Sequence, residues 1–468
     1  MKIEQIYTGC LAQGAYYIES NGEVAIIDPL REIEPYLKKA KKNDSKIKYI
    51  FETHFHADFV SGHVTLSKKT GAPIIYGPTA KTTFDSIIAH DGQEFKLGSV
   101  TIIALHTPGH TQESTTYLLK DEAGKDHAIF SGDTLFLGDV GRPDLAQKAA
   151  DMTQDQLAAM LFNSLRTKIM PLADEVIVYP AHGAGSACGK NLSKETIGTI
   201  GGQKKTNYAL REDMTEAEFI KEVTHGLLPP PKYFPLNVKL NKEGYEDFEA
   251  VLKRGAQEFD VTAFEQHAKN SEAIILDVRN QKDFATGHIP GSIFIGIDGG
   301  FAPWVGALIG DIQQPILLVT QVGREEETIT RLSRVGFDNT IGTLKGGFSS
   351  WEKSGKEIDK VDSISADIFK NNINESSPIF DVRKPNEYIS EHIPQAKNTS
   401  LDFINEHLNE FPDKENFYIH CAGGYRSMIA ASILKSRGIH NIIDVQGGFA
   451  AIKDTGIEIT DYICPSTL

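Results

Sequence analysis

The chain has 468 residues, 40% of them hydrophobic and 24% charged, which is more than one ordinary hydrophobic core accommodates and leads to an expectation of about three domains. A formal net charge of −15 argues against nonspecific binding to nucleic acid or to an anionic membrane. No apolar signal core opens the chain, no window reaches the ~18 uninterrupted apolar residues of a membrane span, and four scattered cysteines fit a reducing cytoplasm better than a disulfide framework.

From residue 1 to about 225, short β-branched runs alternate with amphipathic stretches. Strands are predicted at 24–28, 47–53, 72–76, 100–105, 128–131 and 175–179, and helices at 33–41, 63–69, 153–165 and 216–222. The breaker run Leu227-Leu228-Pro229-Pro230-Pro231-Lys232 then opens an irregular polar stretch, read as a linker over 226–260. An internal repeat occupies the remainder of the chain. Ile275-Leu276-Asp277-Val278-Arg279 recurs as Ile379-Phe380-Asp381-Val382-Arg383, Gly287-His288-Ile289-Pro290 as Glu391-His392-Ile393-Pro394, and Lys345-Gly346-Gly347-Phe348 as Gln446-Gly447-Gly448-Phe449. The copies, 261–361 and 362–468, each alternate strand and helix signals, so each is expected to be a small α/β domain with a mainly parallel sheet.

The heptapeptide Thr53-His54-Phe55-His56-Ala57-Asp58-Phe59 follows an apolar run that reads as a strand. Two imidazoles at alternate positions and a nearby carboxylate, fixed at a strand end, suit a transition metal with bond lengths of about 2 Å. His110 follows a Pro-Gly turn after a predicted strand, and Asp133 and His182 sit at two more strand ends. One histidine among 15 is usually structural; four strand-end segments of this kind are not explained that way.

Over 1–225 these segments resemble the ligand segments of the metallo-β-lactamase superfamily, which implies an αββα sandwich. In its two-metal hydrolases the positions matching His54, His56 and His110 hold one metal, those matching Asp58, Phe59 and His182 a second, and that matching Asp133 bridges. Phe59 departs from this pattern, so a second metal is expected to be weak or absent. The segments also resemble the persulfide dioxygenase branch, where the positions matching His54, His110 and Asp133 hold one iron. That resemblance implies one Fe(II) per chain, with zinc as the alternative; two imidazoles and a carboxylate leave about three positions open. His56 and His182 are then candidates for orienting ligands and substrate. Arg142, in Gly141-Arg142-Pro143-Asp144, either pairs with a substrate carboxylate or forms an ion pair within the protein. Cys188 either lines the pocket and carries sulfur or is a small buried residue in a turn, and Cys10 and Cys464 are read as structurally inert.

Near the end of the chain, Phe417-Tyr418-Ile419-His420-Cys421 leads into Ala422-Gly423-Gly424-Tyr425-Arg426 and then a helical pattern. A nucleophile at a strand exit, followed by a glycine-rich loop and a helix start, forms an anion nest to which Arg426 adds positive potential. A thiolate is stabilised there, as is the persulfide anion it forms. The pattern resembles a single-domain rhodanese, with Cys421 as the sulfur carrier. In the earlier copy Gln321 aligns with Cys421 and the loop to Arg324 is two residues shorter, so that copy is expected to be catalytically silent.

The whole chain thus resembles a persulfide dioxygenase–rhodanese fusion. The resemblance implies oxidation of a low-molecular-weight thiol persulfide, such as glutathione persulfide, by O2 to sulfite, followed by sulfur transfer between persulfide and sulfite to give thiosulfate. That would serve sulfide detoxification in the cytoplasm, without nucleic acid or membrane as partner; assembly into a homo-oligomer stays open. A dinuclear zinc thioester hydrolase of the glyoxalase II kind and a persulfide relay or sensor are the alternatives.

Overall fold

In a computed structural model that describes residues 1–147 and 151–464, the chain divides into two compact units. The first comprises Met1–Phe248 with Ser333–Gly336. It holds two six-stranded sheets. The strands of one are β1 (Lys2–Thr8), β2 (Gln13–Ser20), β3 (Glu23–Ile27), β4 (Lys46–Phe51), β5 (Ile74–Tyr76) and β6 (Ile87–Ile88), in that spatial order. The other runs, in spatial order, β12 (Gly198–Thr199), β11 (Ile177–Pro180), β10 (Asp126–Gly132), β9 (Thr115–Lys120), β8 (Val100–His106) and β7 (Glu94–Leu97).

Alternation along β2 shows why the arrangement has four layers. Tyr16 and Ile18 enter the core between the sheets with Phe51, Phe95, Tyr117 and Phe130. Ala15 and Tyr17, pointing the other way, pack with Tyr36 and Leu66 from the helices Glu34–Lys42 and His63–Thr70. A strand covered on both faces must be apolar throughout, which is why no clean alternation marks β2 in the sequence. The outer face of the second sheet buries Ile129 and Val178 against Leu161 and Phe219 of the helices Gln154–Ser164 and Glu216–Thr224. Phe51 meets Phe95 and Tyr117 with centroids 5.3 and 4.7 Å apart, and truncating such a ring costs about 3–5 kcal/mol.

The 226–260 stretch is not the irregular linker its composition suggests. It forms the helices Phe234–Glu243, entered through Pro235, and Phe248–Gly255, and the first unit extends to Phe248. The first of these helices carries two fully buried asparagines, Asn237 and Asn241, so its inward face gives no apolar stripe to read.

The second unit, Glu249–Leu332 with Phe337–Leu468, contains the two copies of the repeat. Each is a five-stranded, all-parallel sheet. Their spatial orders correspond strand for strand. The first runs β13 (Glu258–Phe259), β17 (Thr340–Leu344), β16 (Ile316–Val319), β14 (Ile274–Asp277) and β15 (Ile293–Phe294). The second runs β18 (Asp362–Ile364), β22 (Ile442–Val445), β21 (Phe417–His420), β19 (Ile379–Asp381) and β20 (Lys397–Asn398). In each, the Asp-Val-Arg motif closes an inner strand, where the arginine forks onto the aspartate two residues back: Arg279 on Asp277 and Arg383 on Asp381, both at 2.6 Å.

Candidate metal and sulfur-transfer sites

β4, β8, β10 and β11 end at the same edge of the sandwich, and the loops leaving them bring the predicted ligands together. Nε2 of His110 lies 3.3 Å and Nε2 of His54 3.8 Å from Oδ2 of Asp133. On the other side of that carboxylate, Nε2 of His182 is 3.6 Å from Oδ1. Gly132, just before Asp133, has a φ of +53°, and a Cβ there would stand 2.7 Å from Thr53. Glycine is required at this crossing of the two ligand segments.

Each imidazole is oriented through its far nitrogen. Thr53 Oγ1 donates to Asp28 Oδ2 at 2.9 Å, so toward His54 Nδ1, 3.0 Å away, it can only accept. Nδ1 of His110 donates to the carbonyl of Arg142 at 2.9 Å, and Nδ1 of His182 to that of Ala12 at 3.3 Å. In its neutral form each of the three rings presents an unprotonated Nε2. Burial, reinforced by the neighbouring imidazoles, holds His54 far below the usual histidine range. Both oxygens of Asp133 are buried without a hydrogen bond, as is Nε2 of His182. A buried carboxylate with no donor is costly unless a cation meets it. Two nitrogens and a carboxylate oxygen converging on one point fit a transition-metal ion.

His56 faces elsewhere. Its Nε2 is 3.1 Å from Asp28 Oδ1 and 3.7 Å from Glu52, and Phe59 packs on its ring at 4.4 Å. Burial, the largest influence, opposes its charged form, but Asp28, Glu52 and Asp58 together outweigh it and His56 is pushed up to about 9. Even so, His56, Asp58 and His182 each bring one ligand atom within 4.8 Å of the others, with Asp58 Oδ2 3.4 Å from His182 Nε2. Phe59 removes a donor without scattering the rest. Cys188 forms a third such group with Asp133 and His182, and burial, then Asp58 and Asp133, push its thiol well up. Arg142 forks onto Asp144, both bonds at 2.7 Å, and also donates to Leu228 O at 2.5 Å. Its guanidinium is already satisfied, so a substrate carboxylate would have to displace Asp144.

Two contributors were not singled out from the sequence. Asp28 ends a predicted strand, yet its grip on Thr53 and His56 is visible only in three dimensions. Asn241, fully buried, donates to the carbonyls of His56 and Phe59 at 2.8 Å each and accepts from Ser61 N at 2.9 Å. One side chain from the unrecognised helix thus pins the ligand loop at three backbone points.

In the second unit Cys421 leaves β21 and is almost fully buried. Gly424, in the left-handed region at φ +96°, turns its N–H to Cys421 Sγ at 3.1 Å and caps the helix Tyr425–Ser436. Ala422 and Gly423 complete the loop, and Phe449 N and Ala450 N hold its first two carbonyls at 2.6 and 3.1 Å. Arg426 forks onto Glu387 at 2.6 and 2.8 Å. Tyr425 points away from the sulfur, its hydroxyl donating to the carbonyl of Gly296 at 2.6 Å. In the first copy the residue at the matching strand exit is the buried Thr320, not the Gln321 that the sequence pattern predicts: Asp277 pairs with Val319 as Asp381 pairs with His420, and Gln321 follows one residue later, exposed.

The model of the metallo-beta-lactamase superfamily matches residues 8–182, and that of the rhodanese-like domain matches 260–354 and 365–455. A metallo-beta-lactamase from Staphylococcus aureus subsp. aureus COL is similar in structure, with a TM-score of 0.64 and 30% identity over 74% of this chain and 98% of that one. A probable hydroxyacylglutathione hydrolase of Schizosaccharomyces pombe is 31% identical over 35% of this chain, which spans 60% of that relative's length. The mitochondrial persulfide dioxygenase ETHE1 of Homo sapiens is 27% identical over 47% of this chain and 78% of its own length. Among the described residues no helix is long and apolar enough to cross a membrane.

Proposed function

The chain belongs to the metallo-beta-lactamase superfamily, with two rhodanese-like domains in the same polypeptide, and from that premise we propose that it oxidises a thiol persulfide and transfers sulfur. The first unit would convert a low-molecular-weight persulfide, O2 and water into the free thiol and sulfite. Cys421 would then take the outer sulfur of a persulfide and pass it to sulfite as thiosulfate, or run in reverse. The observation that carries this reading is Phe59 packed on His56 while His56 Nε2 faces Asp28, which supports a single metal held by His54, His110 and Asp133. The likeness to the human persulfide dioxygenase supports it.

His54, His110 and Asp133 would hold one Fe(II), with zinc as the alternative. Bound there, the iron would supply the one-electron chemistry that lets O2 react with a persulfide. The chain's own contribution is positional. Thr53 and the Arg142 carbonyl fix the imidazole tautomers, Asn241 fixes the loop, and Cys188 and Tyr233, both buried near Asp58, wall the site against water. In the second unit the Gly424 amide would stabilise the anion on Cys421 before and after sulfur uptake.

A second reading, a dinuclear zinc thioester hydrolase, is favoured by the surviving His56–Asp58–His182 group and by the hydroxyacylglutathione hydrolase relative. Loading the anaerobic apoprotein with Fe(II) or Zn(II) separates the two. Iron-dependent O2 uptake with glutathione persulfide is expected; zinc-dependent hydrolysis of a glutathione thioester, without that uptake, would replace the first reading by the second.

A further inference from the structure

The two copies of the repeat lie in one compact unit, and one side chain of the sulfur loop reaches from the second copy into the first. Tyr425 stands between Gly424 and Arg426. Its hydroxyl bonds Gly296 O at 2.6 Å, and its ring meets Phe294 edge-on at 6.0 Å. The receiving segment, Gly296-Ile297-Asp298-Gly299-Gly300, admits the ring because it lacks side chains at the point of contact. A Cβ on Gly299 would stand 2.3 Å from Tyr425 Cζ, and one on Gly296 3.2 Å from Cε2.

That segment is held from behind by two arginines of the silent copy. Arg331 donates to Ile297 O at 2.5 Å, and Arg324 pairs with Asp298 at 2.8 Å. Arg324 is the arginine of the silent loop, the counterpart of Arg426; here it steadies the segment that receives Tyr425. On the catalytic side, Tyr425 begins the helix whose cap, Gly424, directs its N–H at Cys421 Sγ, and Arg426 follows at once. The socket thus anchors the loop between Gly424 and Arg426, and a misplacement of about 1 Å in a reacting geometry costs on the order of a hundredfold in rate.

We infer that the silent copy is a working part of the sulfur-transfer site: residues 296–300 form a socket for Tyr425, a positioning residue that holds the loop closed on Cys421. The inference rests on the reading of Cys421 as sulfur carrier.

The test uses the full chain and a single turnover with thiosulfate. The Cys421 thiolate attacks the outer sulfur, the S–S bond of thiosulfate breaks, and sulfite leaves with its electron pair, so sulfite release reports loading. Gly299→Ala should lower the maximal loading rate about tenfold, and Tyr425→Phe about fivefold, with the half-saturating thiosulfate concentration within twofold of the parent. A general folding defect would instead lower the amplitude, not the rate. In a Tyr425→Ala background, Gly299→Ala should cost nothing more, because the ring it obstructs is gone. Loading rates within twofold of the parent in both Gly299→Ala and Tyr425→Phe would overturn the inference, as would an undiminished effect of Gly299→Ala without the ring. Sulfite release by Cys421→Ser would overturn the carrier reading itself.

Discussion

In the second copy of the repeat the loop leaving β21 carries Cys421 and turns the Gly424 N–H onto its sulfur at 3.1 Å. In the first copy the loop leaving β16 carries Thr320 in that place, and the Gly323 N–H donates instead to Glu325 Oε2 at 2.8 Å. Both loops feed a helix from the exit of an inner parallel strand, and both turn a backbone amide toward a side chain. The difference is which side chain receives it. The second copy leaves the place to the Cys421 sulfur, whereas the first copy fills it with its own carboxylate. On the proposed reading of Cys421 as sulfur carrier, the first copy differs by an occupied amide as well as by a missing nucleophile.

The comparison breaks first at Cys421. Cys421→Ser is expected to lower sulfur transfer by about a thousandfold, measured as sulfite release from thiosulfate, while persulfide-dependent O2 uptake stays within twofold. Loss of both together would mean that the two units do not divide the chemistry. The arginines come next. Arg426→Lys keeps a charge but loses the fork onto Glu387, and a fall of about tenfold in the loading rate is expected.

A smaller contrast lies in the strand beneath each loop, where Asp444 of β22 occupies the place of Thr343 in β17. Burial pushes the Asp444 carboxyl up from 3.8 to about 6, against the downward pull of the Ser427 and Ser363 hydroxyls. The fold thus favours the protonated form: the stability this group contributes is complete below 3.8 and is lost as pH rises through about 6. Asp444→Asn should then raise the unfolding temperature of the second unit by a few degrees at pH 8, equivalent to about 2–3 kcal/mol, and leave it unchanged near pH 4. Equal shifts at both pH values would show that the carboxyl is not held protonated. The smallest effect expected is none at all. Thr320→Cys, made in the Cys421→Ser chain, should release no sulfite, because the loop to Arg324 is one residue shorter than that from Cys421 to Arg426 and Glu325 fills the amide; recovered activity would show that the nucleophile alone was missing.

The sequence disclosed what is local. Strand-end histidines, the Pro-Gly turn before His110 and the glycine-rich loop after Cys421 announce themselves within a few residues, because a rigid ligand or nucleophile has to sit at a strand end. The repeat was legible because Asp-Val-Arg and Gly-Gly-Phe serve the same internal contacts twice, Asp381 with Arg383 as Asp277 with Arg279. What escaped depends on partners far apart in the chain. β1, β2 and β9 were missed because burial on both faces or an edge position erases the alternation. The helix carrying Asn241 and the socket for Tyr425 are specified by hydrogen bonds between distant residues, which leave no periodicity to find.

Asn241 also sets where the molecule can be cut. A fragment ending at residue 225 would contain every histidine and carboxylate of the metal site but not the amide that holds the carbonyls of His56 and Phe59. Any truncated version meant to retain the first unit's chemistry has to run through Phe248. Cleavage in the Pro229-Pro230-Pro231 stretch would leave that brace joined to the ligand loop by noncovalent contacts alone.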